Sequence, residues 1–219
     1  MLRVAIDGPG GTGKSTIAKQ VASLMNLEYI DTGAMYRAIA LKAIKNNVPN
    51  DSDSVSEMLK NTEIDFRNGK IILDGEDVSG MIRTNEISMG ASNYSKLGCV
   101  RTKVNELNHY LATTRNVIME GRDICTKVIP DAEVKIFMTA SPEIRAKRRY
   151  DQLLELGKDA DYETIFNEIQ ERDYQDSHRE IDPLKQADDA ILLDSSNMTI
   201  EENVRAIVDI INSSKNGVK

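Results

Sequence analysis

The sequence has no tryptophan, two cysteines, two histidines and five prolines among its 219 residues. With aromatics at 5%, a platform for stacking nucleic-acid bases is not expected. Cys99 and Cys125 cannot build a disulfide framework and lack the C-x-x-C spacing of a redox pair. His109 and His178 are too few and too scattered for a metal cluster. Positive charge is also scarce. Lys and Arg number 28 against 35 Asp and Glu, a formal net charge of -7. That balance argues against a general grip on a nucleic-acid backbone, although an acidic protein can still build a local pocket for a small anion. No apolar run approaches the roughly 20 residues that cross a bilayer. The strand pattern begins at Met1-Leu-Arg-Val-Ala-Ile, so no signal peptide is read there. No membrane and no nucleic acid are expected as partners, and the expected location is the cytoplasm, with reduced thiols.

What remains, 40% hydrophobic and 29% charged, is ordinary for a globular chain. Short β-branched runs alternate with helix-period stretches. Strands are expected at Leu2–Ile6, Leu27–Ile30, Val117–Met119, Val134–Met138 and Ala190–Leu193. Helices are expected at Lys14–Met25, with Ile17, Val21, Leu24 and Met25 on one face, at Gly33–Asn46, at Pro142–Glu155 and near Ile200–Ile211. This alternation predicts βαβ units on a parallel sheet, an α/β fold. One stretch differs. Ile64–Phe66, Lys70–Leu73 and Glu76–Val78 are separated by Asn68-Gly69 and Asp74-Gly75, which are hairpin turn signals. A small antiparallel insert is expected there. Asn47–Ser56 reads as a polar surface connection, and Ser213–Lys219 as a frayed tail.

Gly8-Pro-Gly-Gly-Thr-Gly13-Lys14-Ser15 fits G-x-x-x-x-G-K-[ST] throughout, between a predicted strand and a predicted helix. Glycines allow successive N–H groups to turn inward around a phosphate, and the helix N-terminus adds partial positive charge. The ATP-binding residues predicted here are Gly8, Pro9, Gly10, Gly11, Thr12, Gly13, Lys14, Ser15 and Thr16. Lys14 would reach the β- and γ-phosphates, and Ser15 would hold Mg²⁺ together with the nucleotide phosphates. No [NT]-K-x-D segment marks a guanine reader.

A small kinase also needs a second anion site. Thr32 reads as a helix cap and hydroxyl donor, with Arg37 one turn beyond Gly33. Arg122 and Asp123 follow a strand end, where ligands of parallel sheets bind. Arg172, Asp176 and Arg179 share one helix face, which fits a base-reading and phosphate-holding cluster or merely a solvated ladder. Arg145, Arg148 and Arg149 fit a basic lid face, or a solvated helix balanced by Glu143 and Asp151.

Together these residues resemble the bacterial cytidylate kinases, the CMP/dCMP branch of the nucleoside monophosphate kinases. The segments that carry the resemblance are Ile6-Asp-Gly-Pro with the phosphate loop, Asp31-Thr-Gly-Ala-Met-Tyr-Arg37, Gly75-Glu-Asp-Val-Ser79 with Ile82-Arg83, Gly121-Arg-Asp123, Arg145 to Arg149, and Glu171-Arg-Asp173 through Arg179. The resemblance implies a three-layer P-loop NTPase fold in a single domain over 1–219. The core would be 1–46, 116–150 and 185–219, the NMP-binding lobe 47–115 and the helical lid 151–184. It implies transfer of the γ-phosphoryl of ATP to CMP or dCMP, with Mg²⁺, by a monomer. Its CMP-binding residues would be Thr32, Arg37, Ser92, Arg101, Arg122, Asp123, Arg172, Asp176 and Arg179. Its catalytic residues would be Lys14, Arg122, Asp123, Arg148 and Arg149. Two departures stand out. Cys125 replaces a usual glycine and would be strained at a glycine-only backbone angle, and Lys127 replaces an apolar residue. A kinase for AMP, UMP, shikimate or gluconate, and an ATP-dependent switch without transfer, are the alternative readings.

Overall fold

The computed structural model describes residues 1–67 and 69–217. The chain divides into two compact units. One runs from Glu28 to Val117 with Met1, and the other joins Leu2–Leu27 to the chain from Ile118 onward.

A five-stranded sheet has the order β2-β6-β1-β7-β8. Its strands are β1 (Arg3–Asp7), β2 (Glu28–Asp31), β6 (Val117–Gly121), β7 (Val134–Thr139) and β8 (Ile191–Asp194). β1 pairs in parallel with β7, Val4 opposite Val134, and β7 in parallel with β8. Val4, Ala5 and Ile6 are wholly buried, as expected of a parallel strand covered on both faces. β2 belongs to the unit from Glu28 to Val117; the unit that joins Leu2–Leu27 to the chain from Ile118 onward holds the helices α1 (Lys14–Met25), α6 (Pro142–Glu155), α7 (Tyr162–His178) and α8 (Ile200–Gly217). Ser141 caps α6 by accepting from the Ile144 N–H, with Pro142 at the first position, the residue choice that best starts a helix.

The other unit holds α2 (Thr32–Lys45), α3 (Ser52–Lys60), α4 (Asn85–Tyr94), α5 (Gly98–Thr114) and a three-stranded antiparallel sheet. That sheet is β3 (Ile64–Arg67), β4 (Lys70–Leu73) and β5 (Glu76–Asp77), with Ile64 opposite Leu73 and Leu73 opposite Glu76. Asp74 and Gly75 both have positive φ, 49° and 88°, the backbone a two-residue hairpin turn requires. Of the Asn68-Gly69 turn, Asn68 lies outside the described residues.

Three expectations are corrected. Asn47–Ser56 is not all connection, because Asp51 accepts from the Ser54 N–H and starts α3. The predicted frayed tail is helical as far as Gly217, and its last two residues lie outside the described ones. Leu24 is 68% exposed, because α1 buries a narrower stripe of Ile17, Ala18, Val21 and Ala22.

Candidate active site

The phosphate loop joins β1 to α1. Gly8 has φ 148°, and a Cβ on it would sit 1.9 Å from the Met138 carbonyl oxygen, so no other residue fits. Gly13 caps α1 at φ 94° with no side-chain hydrogen bond, and no acidic residue stands in the first turn. The helix therefore offers its first N–H groups to an anion. Ser15 and Thr16 present exposed side chains there. Among the described residues, no group of three or more His, Cys, Asp or Glu could hold a metal ion.

Lys14 is 4% exposed. Its Nζ donates to the carbonyls of Gly8 (2.8 Å) and Pro9 (2.7 Å) and lies 3.3 Å from Thr12 Oγ1. Burial, reinforced by the positive charge of Arg122, pulls its pKa down to about 7, against the opposing pull of Glu120, Asp7 and Asp176.

Arg122 leaves the end of β6 and donates from Nε to Asp176 of α7 at 2.7 Å. A Cβ on Gly10 would stand 3.4 Å from its Nη2, so the guanidinium borders the phosphate loop. Burial raises the Asp176 pKa, but Arg122, Arg172 and Arg179 outweigh it and hold the carboxyl below its ordinary value. Arg179, just past α7, reaches Asp123 at 3.3 Å and donates to the Asp182 carbonyl. Asp176 and Arg179 are thus joined to Arg122 and Asp123 in one cluster, while Arg172 is exposed and acts on Asp176 through its charge.

The basic stretch of α6 is not one face. Arg145 is 2% exposed. It donates to Ala140 O (2.9 Å), Gly10 O (3.1 Å) and, as a fork, to both oxygens of Asp173 (2.9 and 2.5 Å). Arg148 donates to Ser195 O at 2.6 Å and reaches Thr12 O at 3.4 Å. Arg149 is exposed and bonds Gln152. Lys147 pairs with Asp151. Sequence reasoning missed Asp173 and Ser195 as supports of the loop, and it gave Arg145 no role in holding it. The adjacency of Asp173 to Arg172 was the available signal for the first. A cleft of about 510 Å³ in this unit is lined by Pro9, Thr139, Ser141, Arg145, Asp173 and Ser196, among others.

In the other unit, Asp31, and not Thr32, caps α2. Its Oδ1 accepts from the Ala34 N–H at 2.9 Å, and its Oδ2 pairs with Arg37 Nη2 at 2.8 Å. Aspartate accepts through two separate oxygens and brings the negative charge that pairs with Arg37, which a hydroxyl lacks. Thr32 is 4% exposed. Arg37 Nε is buried without a hydrogen-bond partner. Arg101 is 3% exposed and stacks over the Tyr36 ring with its guanidinium carbon 5.7 Å from the centroid. Ser92 is exposed on α4.

Cys125 keeps an ordinary backbone, since it is not among the residues with positive φ. It sits in a π-helical turn, Ile124–Val128, directly after Asp123. The expected strain is therefore absent. Its thiol is buried and its pKa pushed well above the ordinary value by that burial.

Comparisons with known proteins place the whole chain beside known kinases. A cytidylate kinase from Thermosipho melanesiensis is 46% identical over 209 residues, spanning 95% of this chain and 96% of its own. One from Lactobacillus johnsonii is 49% identical over 216 residues, spanning 96% and 94%. Among solved structures, a shikimate kinase from Bacteroides thetaiotaomicron superposes with a TM-score of 0.51 over 96% of this chain and 98% of its own, at 14% identity. That likeness concerns the fold, which is the α/β fold of the P-loop kinases. The family pattern described as cytidylate kinase matches residues 4–213, and the chain belongs to that family.

Proposed function

We propose that this protein transfers the γ-phosphoryl group of ATP to CMP or dCMP, giving ADP and CDP or dCDP. The observation that carries the reading is the Arg122–Asp176 pair beside the phosphate loop, with Arg179 on Asp123. A phosphate-loop protein that only binds ATP has no need of a second anion cluster at that loop.

ATP is held by the loop N–H groups, with Lys14 turning from the Gly8 and Pro9 carbonyls to the β- and γ-phosphates. Ser15 and the nucleotide phosphates fit Mg²⁺: its hydroxyl is exposed in the first turn of α1, and a hydroxyl with phosphate oxygens is a hard-oxygen donor set. The ion would neutralise phosphate charge. In the acceptor role, Arg37, Arg122 and Arg179 hold the phosphate or ribose, and Arg172 and Asp176 read the cytosine edge. Thr32, Ser92, Arg101 and Asp123 complete the set. Arg37 retains one unpartnered buried donor, Nε, for an incoming acceptor. An acceptor phosphate oxygen then attacks the γ-phosphorus in line, a new O–P bond forms, and the bond to the ADP oxygen breaks. No covalent enzyme intermediate is needed. Catalysis is positioning and charge neutralisation by Lys14, Arg122, Asp123, Arg148 and Arg149. In this reading 47–115 is the acceptor lobe and 151–184 the lid of a monomeric enzyme of the cytoplasm. Among the described residues, no helix is long and apolar enough to cross a membrane.

The test is ADP release with CMP, dCMP, UMP and AMP side by side. CMP and dCMP should turn over fastest. Faster turnover with another acceptor would reassign the substrate, and nucleotide binding with no acceptor-dependent ADP would leave only an ATP-dependent binding or switch module.

A further inference from the structure

We propose that Asp7 is a positioning residue for phosphoryl transfer: its carboxylate fixes the turn after β6, and so the place of Arg122 and Asp123 against the phosphate loop. The inference rests on the reading above for the roles of those two side chains, but its geometry does not depend on the acceptor.

Asp7 is the last residue of β1 and is wholly buried. A carboxylate so placed must be compensated. The compensation comes from 117 and 118 residues away. Ile124 N–H donates to Oδ1 at 2.8 Å, and Cys125 N–H donates to Oδ2 at 2.7 Å. These are the two amides that follow Asp123. They open the π-helical turn whose further bonds, Lys127 N–H and Val128 N–H to the Asp123 carbonyl, close it at 2.9 and 3.2 Å. A π-turn is rare and often marks a functional site. On its other side Asp7 is bonded to Gly8, which packs so close to the Met138 carbonyl that a Cβ would not fit there. One carboxylate therefore ties the first residue of the phosphate loop to the turn bearing Arg122 and Asp123.

The chemistry singles out an ionised carboxylate. It accepts at both oxygens, whereas an amide or a protonated acid offers one acceptor and sets a donor against the second N–H. Burial works against the ion and raises the Asp7 pKa to about 6, despite the two amide bonds. The charged and titratable groups facing it are Asp123, the Cys125 thiol, Lys14 and Arg122. A purely structural role would affect stability alone. A positioning role predicts that Arg122 senses the state of Asp7.

The experiment compares the full chain with D7N. Melting is recorded first, then kcat and the KM for CMP and for ATP, and finally the amide signals of Ile124 and Cys125 and the Arg122 Nε–H signal from pH 5 to 8. D7N should melt cooperatively, with kcat reduced about tenfold or more, KM for CMP raised several-fold and KM for ATP changed less than about threefold. In the wild-type protein all three signals should titrate together with a midpoint near 6, and in D7N that titration should vanish. A D7N enzyme with kcat within about twofold of wild type overturns the proposal. So does an Arg122 signal that ignores the midpoint shared by the two amides, and this readout decides the matter if D7N does not fold. A wild-type protein that shows the joint titration but no CMP-dependent ADP release would refute the acceptor and leave the tie standing.

Discussion

Lys14 should take up a proton when a nucleoside triphosphate binds. In the free protein the amine is buried against the carbonyls of Gly8 and Pro9, and burial lowers its pKa from 10.5 to about 7. A neutral amine can keep both carbonyl bonds and accept from Thr12 where the ammonium would donate. Phosphate oxygens instead bring full negative charge and restore the ammonium. At pH 8 roughly nine-tenths of Lys14 is neutral before binding, so uptake should approach about 0.9 proton per site. At pH 6 it should fall to about 0.1. Affinity should weaken by about tenfold per pH unit above 7, until the pKa of the bound state is reached. The γ-phosphate, with its second pKa near about 6, is already ionised at pH 8 and adds little. Isothermal titration in buffers of different ionisation enthalpy reads the uptake as a slope. A slope near zero at pH 8, or the same slope in K14A, would refute the reasoning. K14A should also abolish transfer.

Gly8→Ala should lose more than about 3 kcal/mol in urea denaturation, because its methyl would meet the Met138 carbonyl oxygen at 1.9 Å. Arg145→Ala removes the forked bonds to the half-buried Asp173 and should cost about 1.5–3 kcal/mol; the double variant with Asp173→Ala should lose less than the sum. Asp176→Ala should weaken selection of CMP over UMP, and an unchanged ratio would place base reading elsewhere. Iodoacetamide should alkylate Cys99 before Cys125, whose thiol is buried with a raised pKa. Mass mapping that finds Cys125 modified first in the folded protein would contradict this.

The parts legible in the sequence are those whose causes are local. Glycines, lysine and hydroxyls lie within eight consecutive positions of the phosphate loop, and its strand and helix flank it directly. The hairpin unit was likewise set by Asp74-Gly75. Where a side chain's partner is distant, sequence reading failed. Arg145 looked like part of a lid face because its spacing to Arg148 and Arg149 is helical. Its partner Asp173 is 28 residues further on and draws it inward. Asp7 was legible as a motif letter but not as an acceptor for amides 117 residues away. Thr32 reads as the cap of α2, yet Asp31, an equally good capping residue, takes the position. Asp31 also pairs through its second oxygen with Arg37, a contact that capping propensity alone does not signal. At Asp51 the capping signal was present, and only its polar surroundings made it read as a loop.

At rest, three of the guanidiniums proposed for the acceptor already lean on carboxylates of their own unit, Arg37 on Asp31, Arg122 on Asp176 and Arg179 on Asp123. In the proposed reading an arriving ligand therefore meets no bare cation; it competes with a resident carboxylate for part of each guanidinium, while Arg37 Nε stays open to it. A singly charged ion gains little from such an exchange. A phosphate monoester, carrying about −1.5 to −2 charge near neutrality, brings more charge than the carboxylate it displaces. In that reading chloride and stray carboxylic acids gain little at these arginines, and the protein's own aspartates bias the site toward a phosphate monoester.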